Sequence, residues 1–287
     1  MFADKDKGNR NHSRNGGGLR SRKKKDDENQ SFHVKHKKDD RLQLVCGIHP
    51  VMEALGAGKQ IDKVLMQNNL DGRSTQELRA KIREKGVPLQ IVPVEKLNRM
   101  TDSNHQGVVA IVSPITYCVF AELIQRLFDE GKSPVVVLLD HVTDVRNLGA
   151  IVRTAECAGV DAVVVPDHGS AQINEDAIKS SSGALLRMPV CRESNFKTTL
   201  NLARQMGMQV CAATEKGSVD YRTVDFTKPT VLVMGAEDTG VSPEVLRLSD
   251  VHARLPLMGE VMSLNVSVAA GVFMYEVLNQ RNPAVLG

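Results

Sequence analysis

The 287-residue chain has no tryptophan, three tyrosines, no paired cysteines and no long apolar run. Each absence excludes something. A bilayer-spanning helix needs about 20 consecutive apolar residues, and no segment comes near that, although 41% of the chain is hydrophobic. The first residues are charged throughout and lack the apolar stretch of a secretory leader, so a cytoplasmic protein is expected. Five cysteines, Cys46, Cys118, Cys157, Cys191 and Cys211, form an odd, dispersed set without a C-x-x-C pair. That argues against a disulfide framework or a zinc site, and no other metal has a credible ligand set. Walker A, H-E-x-x-H and G-x-S-x-G patterns are missing too, which sets aside P-loop, zincin and α/β-hydrolase chemistry.

What is present is unevenly charged. Residues 1–42 carry 13 Lys and Arg against 7 Asp and Glu, so the formal charge of +3 on the whole chain conceals a basic tail and a mildly acidic remainder. With so few apolar residues the tail cannot offset its ordering entropy and is expected to be disordered. It reads equally as a solubilising extension or as an arm that adds electrostatic affinity for a polyanion.

Residues 43–113 have the pattern of a small α/β domain. Gly47-Ile48-His49-Pro50 opens a helical stretch, Ile61–Met66 and Pro88–Pro93 are strand-like, Thr75–Lys85 has helical spacing, and Val108–Val112 is a last apolar run. Residues 114–133 form a connector whose middle, Phe120–Phe128, reads as an amphipathic helix. From residue 134 to 287 the pattern changes to short, wholly apolar strands at Val135–Leu139, Ala162–Val165, Gln209–Ala213 and Thr230–Met234. Continuous Val, Leu and Ala runs imply strands covered on both faces, hence a mainly parallel sheet in an α/β fold. Ligands in such folds sit at the carboxyl ends of the strands. After the first strand, however, the chain reads Asp140-His141-Val142-Thr143-Asp144-Val145-Arg146-Asn147-Leu148-Gly149, without the glycine fingerprint of a dinucleotide site.

Three polar and glycine-rich clusters occupy the loops instead. Asn147-Leu148-Gly149 leads into a helix bearing Arg153. Asn147 is placed to cap it, and Gly149 lies on the face of Arg153, one turn below the guanidinium. That arginine is either an ordinary surface residue or a group that holds a phosphate or assists a proton transfer. Gly235-Ala236-Glu237-Asp238-Thr239-Gly240 follows an apolar strand directly, where Glu237 could pair with Arg153. Leu255-Pro256-Leu257-Met258-Gly259 leads to Ser263-Leu264-Asn265-Val266-Ser267 at the head of a nearly all-apolar helix. Three hydroxyl or amide groups there imply capping, a ligand, or both.

Taken together, Asn147-x-Gly149-x3-Arg153, Gly235-x-Glu237-x2-Gly240 and Leu255-Pro256-Leu257-x-Gly259 with Ser263-Leu264-Asn265-Val266-Ser267 resemble the three motifs of the SpoU (TrmH) family of RNA ribose 2′-O-methyltransferases. The resemblance runs from about Leu44 to Asn279. The segment from Gly47-Ile48-His49-Pro50 to His105-Gln106-Gly107 is similar to the L30e-like RNA-binding domain of the 23S ribosomal RNA guanosine branch. It implies a C-terminal α/β trefoil-knot (SPOUT) domain, a homodimer with its site near the subunit interface, and S-adenosyl-L-methionine bound around Ala213, Gly235, Leu255, Leu257 and Leu264. It further implies that Arg153 positions or deprotonates the ribose hydroxyl, that Glu237 orients the arginine, and that Asn147, Ser263 and Asn265 complete the hydrogen-bond shell, with RNA as partner and no metal or membrane. An arginine, with a pKa above about 12, is a poor base at neutral pH, so an electrostatic clamp on a neighbouring phosphate is the alternative. With so few aromatic residues, base stacking is not expected to dominate RNA binding. His49 and His105 are read as structural in preference to RNA-contacting, and Ser180-Ser181-Ser182-Gly183 as a loop or turn near a helix end. A tRNA ribose methyltransferase and a non-catalytic RNA-binding or ribosome-assembly protein on the same fold are the competing readings.

Overall fold

The structure, a computed structural model, describes residues 43–283; the basic stretch 1–42 and its expected disorder lie outside them. The chain first builds β1 (Leu44–Cys46), α1 (Ile48–Gly56), β2 (Ile61–Gln67), α2 (Arg73–Glu84), β3 (Leu89–Val92), α3 (Val94–Met100) and β4 (Val108–Val112). These strands form a four-stranded sheet in the order β1-β4-β2-β3. β4 is antiparallel to β1 and β2, while β2 and β3 run parallel. Side chains alternate across a strand, and both faces are used. Val64, Met66, Val108 and Ala110 pack under α1 and α2, whereas Leu65, Val109 and Ile111 pack against Leu97 of α3. The sequence pattern had given no sign of α3.

The second sheet is larger. Its elements are β5 (Tyr117–Cys118), α4 (Phe120–Asp129), β6 (Val135–Leu139), α5 (Val145–Cys157), β7 (Ala162–Pro166), α6 (Glu175–Ser180), β8 (Val190–Glu193), α7 (Phe196–Gln205), β9 (Gln209–Ala213), β10 (Val219–Asp220), β11 (Thr230–Met234), α8 (Pro243–Leu248), β12 (Val251–Arg254) and α9 (Val266–Arg281). Eight strands pair in the order β10-β12-β9-β11-β6-β7-β8-β5, and every pairing is parallel. The expected α/β architecture with a mainly parallel sheet is therefore present, and four strands fall where the apolar runs predicted them.

Every residue of β6 and β11 is buried, and strand alternation divides them between two cores. Val135, Val137 and Leu139, with Leu232 and Met234, face α5 and α9. Val136 and Leu138, with Val231 and Val233, face α4, α7 and α8. Cys191 and Cys211 lie fully buried, one in each core, and burial pushes both thiols up to about 12, as suits packing residues. The end of α9 is fixed by Arg281, which donates to the carbonyls of Phe226, Lys228 and Ser133. None of the helices among the described residues is long and apolar enough to cross a membrane.

One charged pair ties the two sheets together. Arg192 of β8 reaches Asp62 at the start of β2, donating to its carboxylate at 3.2 Å and to the carbonyls of Ile61 and Asp62, both at 3.1 Å. The guanidinium lies 4.3 Å from the ring centre of Tyr117, whose hydroxyl donates to Asp62 at 2.8 Å. Burial drives the Asp62 carboxyl above its ordinary range, with Tyr117 and Arg192 pulling the other way. The Tyr117 phenol is raised in turn, chiefly by burial. Removing one partner of a buried pair strands the other. Arg192→Ala is expected to cost about 3 kcal/mol or more of unfolding free energy, read from urea melts; a loss below about 1 kcal/mol, the level of a surface pair, would show that Asp62 is not held as described.

Candidate active site

The carboxyl ends of β9, β11 and β12 open onto a cavity of about 310 Å³. Its floor is apolar, from Met234, Val266, Ala269 and Phe273, and its rim carries Glu215, Lys216, Glu237 and Ser263. Ala213, Gly235, Leu255, Leu257 and Leu264, the five residues expected around a cofactor, all line it. Thr214, Glu215, Lys216 and Phe273 line it as well. Sequence reasoning had pointed to the loop after Ala213 but named none of these four.

The loop after β11 is shaped by its glycines. Ala236 and Gly240 exchange backbone hydrogen bonds of 3.0 and 2.9 Å, folding residues 235–240 back on themselves. A Cβ at Gly235 would fall inside the backbone of Gly240 and Val241, and Gly240 has φ +69°, a region open to glycine at little cost. This fold turns Glu237 outward at the mouth of the cavity.

There it meets the other two clusters. The Asn147 side-chain amide donates to one Glu237 carboxylate oxygen at 3.2 Å, and the Asn265 amide donates to the other at 3.2 Å. Asn265 also donates to the Asn147 carbonyl oxygen at 3.1 Å, which closes a three-membered ring. Asn265 is the N-cap of α9, its side-chain oxygen accepting from the Ser267 N–H at 2.9 Å and hydroxyl at 2.6 Å. Capping and site geometry thus fall to the same side chain.

Two local expectations need correction. Asn147 does not cap α5. Asp144 does, its carboxylate accepting from the N–H groups of Arg146 and Asn147 at 2.6 and 3.0 Å, which leaves the Asn147 amide free to face Glu237. Gly149 does not make room for Arg153. A Cβ there would lie 2.9 Å from the Ser180 backbone carbonyl carbon, so this glycine lets α5 pack closely on the end of α6. The turn at 181–183, with Gly183 at φ +82°, follows α6 as expected. His105 is structural, bonding to Asn98 at 2.8 Å and accepting from the Gly107 N–H at 3.0 Å.

Arg153 stands apart from the ring. It is exposed on α5, does not line the cavity and is not paired with Glu237. Six residues separate it from Asn147, about 9 Å along the helix axis. Ser263 lines the cavity without joining the ring. Among the described residues no group of three or more His, Cys, Asp and Glu is arranged to hold a metal.

The glycine at 235 generates a sharp test. In Gly235→Ala the new methyl must displace backbone, so ligand binding in the cavity should be lost and the melting temperature lowered. Wild-type stability together with wild-type affinity for S-adenosylmethionine by calorimetry would show that the loop is not closed as described.

Comparison with known proteins places the chain in a family. The profile of the SpoU rRNA methylase family matches residues 134–275, and that of the RNA 2′-O ribose methyltransferase substrate-binding domain matches residues 44–118. Relatives assigned to the TrmH family of tRNA/rRNA methyltransferases, from Staphylococcus saprophyticus and Staphylococcus haemolyticus, are each 34% identical over 83% of this chain and 96% of their own. Among solved structures, the SpoU methyltransferase AviRb of Streptomyces viridochromogenes in complex with AdoMet is 25% identical, with a TM-score of 0.54 over 86% of this chain and 92% of that one. The AdoMet-bound rRNA methyltransferase of Sinorhizobium meliloti is 28% identical, with a TM-score of 0.53 over 86% and 89%. The chain belongs to the SpoU (TrmH) family of RNA methyltransferases.

Proposed function

We propose that the protein transfers a methyl group from S-adenosylmethionine to a ribose 2′-hydroxyl of RNA, with a guanosine of 23S ribosomal RNA as the substrate. The observation that carries this reading is the ring of Asn147, Glu237 and Asn265, one residue from each motif, at the rim of a cavity lined by the five expected cofactor residues. The cavity suits the cofactor. Its volume lies at the lower end of the range for small-molecule sites, its apolar floor can take a purine ring, and the carboxylates of Glu215 and Glu237 can face a cationic centre. Bound there, the cofactor supplies an electrophilic methyl.

The protein then has two tasks, alignment and removal of a proton. Glu237, held by two amides, presents a fixed carboxylate at the rim. Asn147 and Asn265 hold it and leave little freedom for it to turn. Ribose as the acceptor is supported by the match of residues 44–118 to the substrate-binding profile; ribosomal RNA is supported by the match of residues 134–275 to the SpoU rRNA methylase profile.

Arg153 enters through a second subunit. Leu257, Met258, Val261, Met262, Leu264 and Val268 are exposed, Met258 by 98%. Of these, Met258, Val261 and Val268 do not line the cavity, and exposed apolar side chains of this kind suit a partner surface. Val268 and Tyr275 lie seven residues apart on one face of α9, and both are exposed. Thr154, next to Arg153, packs against Gly271 of the same helix. A twofold dimer through this face brings the guanidinium of one subunit toward the cavity of the other, where it clamps the phosphate next to the target ribose. The loops between β9 and α9 form the proposed trefoil knot around the cofactor.

With Arg153→Ala the fold and the S-adenosylmethionine affinity should be retained while methyl transfer is lost. Labelled methyl groups on ribosomal RNA, mapped by resistance to alkaline cleavage, should report one modified ribose for the wild type. Near-normal turnover in the variant would remove Arg153 from the mechanism, and methylation of a base in place of a ribose would overturn the assignment.

A further inference from the structure

Beside the cofactor cavity lies a second hollow, and the two share Ala236, Glu237, Asp238 and Val266 as a common wall. Its other side is formed by residues 141–144 and Asn147. His141 is held there in an unusual way. Its backbone has φ +62°, a conformation rare for a residue with a Cβ though tolerated by Asn, Asp and His. The flanking backbone is pinned, with Asp140 N–H donating to Met234 at 2.8 Å and Ala171 N–H donating to Val142 at 2.9 Å.

The ring is oriented as well as placed. Nδ1 lies 2.6 Å from Oδ1 of Asp140, a side chain 1% exposed, whose other oxygen accepts from the Ser242 N–H at 2.7 Å. The ring edge rests on Gly169, where an added Cβ would come within 3.1 Å of Cδ2. A carboxylate fixed behind Nδ1 selects the tautomer with its proton on that nitrogen and leaves the Nε2 lone pair free. His141 itself is 58% exposed.

The charges around the hollow decide what it receives. Asp144, Glu237 and Asp238 line it and Asp140 stands behind it; His141 is the one lining residue able to carry positive charge. Such a lining disfavours a phosphate inside the hollow and accommodates a neutral hydroxyl, so the phosphate beside that hydroxyl lies outside it, where Arg153 of the second subunit clamps it in the reading above. Neither Glu237, with an oxygen given to each of two amides, nor an arginine is suited to take a proton.

Resting on the ribose-methylation reading above, we propose that His141 is a catalytic residue whose Nε2 accepts the proton of the ribose 2′-hydroxyl, with buried Asp140 as its positioning residue. The O–H bond breaks toward Nε2 as the hydroxyl oxygen forms its bond to carbon. The electron pair of the broken carbon–sulfur bond stays on sulfur, and the imidazolium formed is stabilised by Asp140 before it releases the proton to water.

His141→Asn tests this, since Asn tolerates the same backbone. The variant should keep its melting temperature and its affinity for S-adenosylhomocysteine but lose about 100-fold or more in single-turnover methyl transfer, with added imidazole restoring part of the rate. Nitrogen-15 spectra of histidine-labelled protein without cofactor should show the resonance missing in the variant as a neutral ring protonated at Nδ1. Wild-type turnover by the variant, or a proton resident on Nε2, would overturn the proposal while leaving ribose methylation standing. A wild-type protein that methylates no RNA ribose would overturn both.

Discussion

Three segments far apart in sequence are joined by one small ring of hydrogen bonds. Asn147 and Glu237 are 90 residues apart, and Asn147 and Asn265 are 118 apart, yet each amide is within 3.2 Å of its partner. An amide donates through nitrogen and accepts through oxygen, whereas a carboxylate only accepts. Two asparagines and one glutamate can therefore close such a ring with every bond satisfied. A glutamine at 237 would have to turn an NH₂ group toward an amide donor. The rest of the site depends on this closure, because the loops that carry the ring also wall the cavity.

The sheet makes the closure possible. All pairings among its eight strands are parallel, so the carboxyl ends of β6, β9 and β11 lie side by side, where loops of unrelated sequence can meet. Burial of both faces by helices holds the strands in register, and register places the loops. Glycine then does locally what the sheet does globally. At 235 the backbone doubles back where no side chain fits, and at 149 two helices approach closely enough to bring α5 under the ring. The capping carboxylate of Asp144 releases Asn147 from a structural duty that its position in sequence had suggested.

Much of this was legible in the sequence, and the portions that were not share a physical character. β6, β9 and β11 fell where predicted because a strand buried on both faces must be apolar throughout. β8 and β12 were missed: Val190-Cys191-Arg192-Glu193 and Val251-His252-Ala253-Arg254 mix polar and apolar residues toward the sides of the sheet, where less is covered. The motifs located the cavity residues, yet no local pattern could separate Asp144 from Asn147 as the cap, since both are good capping types. Nor could it show that Gly149 answers to Ser180, because that contact is a property of two helices brought together by the fold. Asp140 and His141 were invisible for the same reason. Their significance lies in the Ser242 amide 102 residues away and in a backbone angle, neither of which is written in residue order.

The central claim is that the segments around residues 213–216, 234–240 and 255–265 close over one ligand. Amide hydrogen exchange on the full chain, with and without S-adenosylhomocysteine, addresses it directly. The account predicts that exchange slows in all three segments together when the ligand is added, with the small sheet of residues 44–112 unaffected. Protection confined to one of the three, or appearing away from all of them, would contradict it.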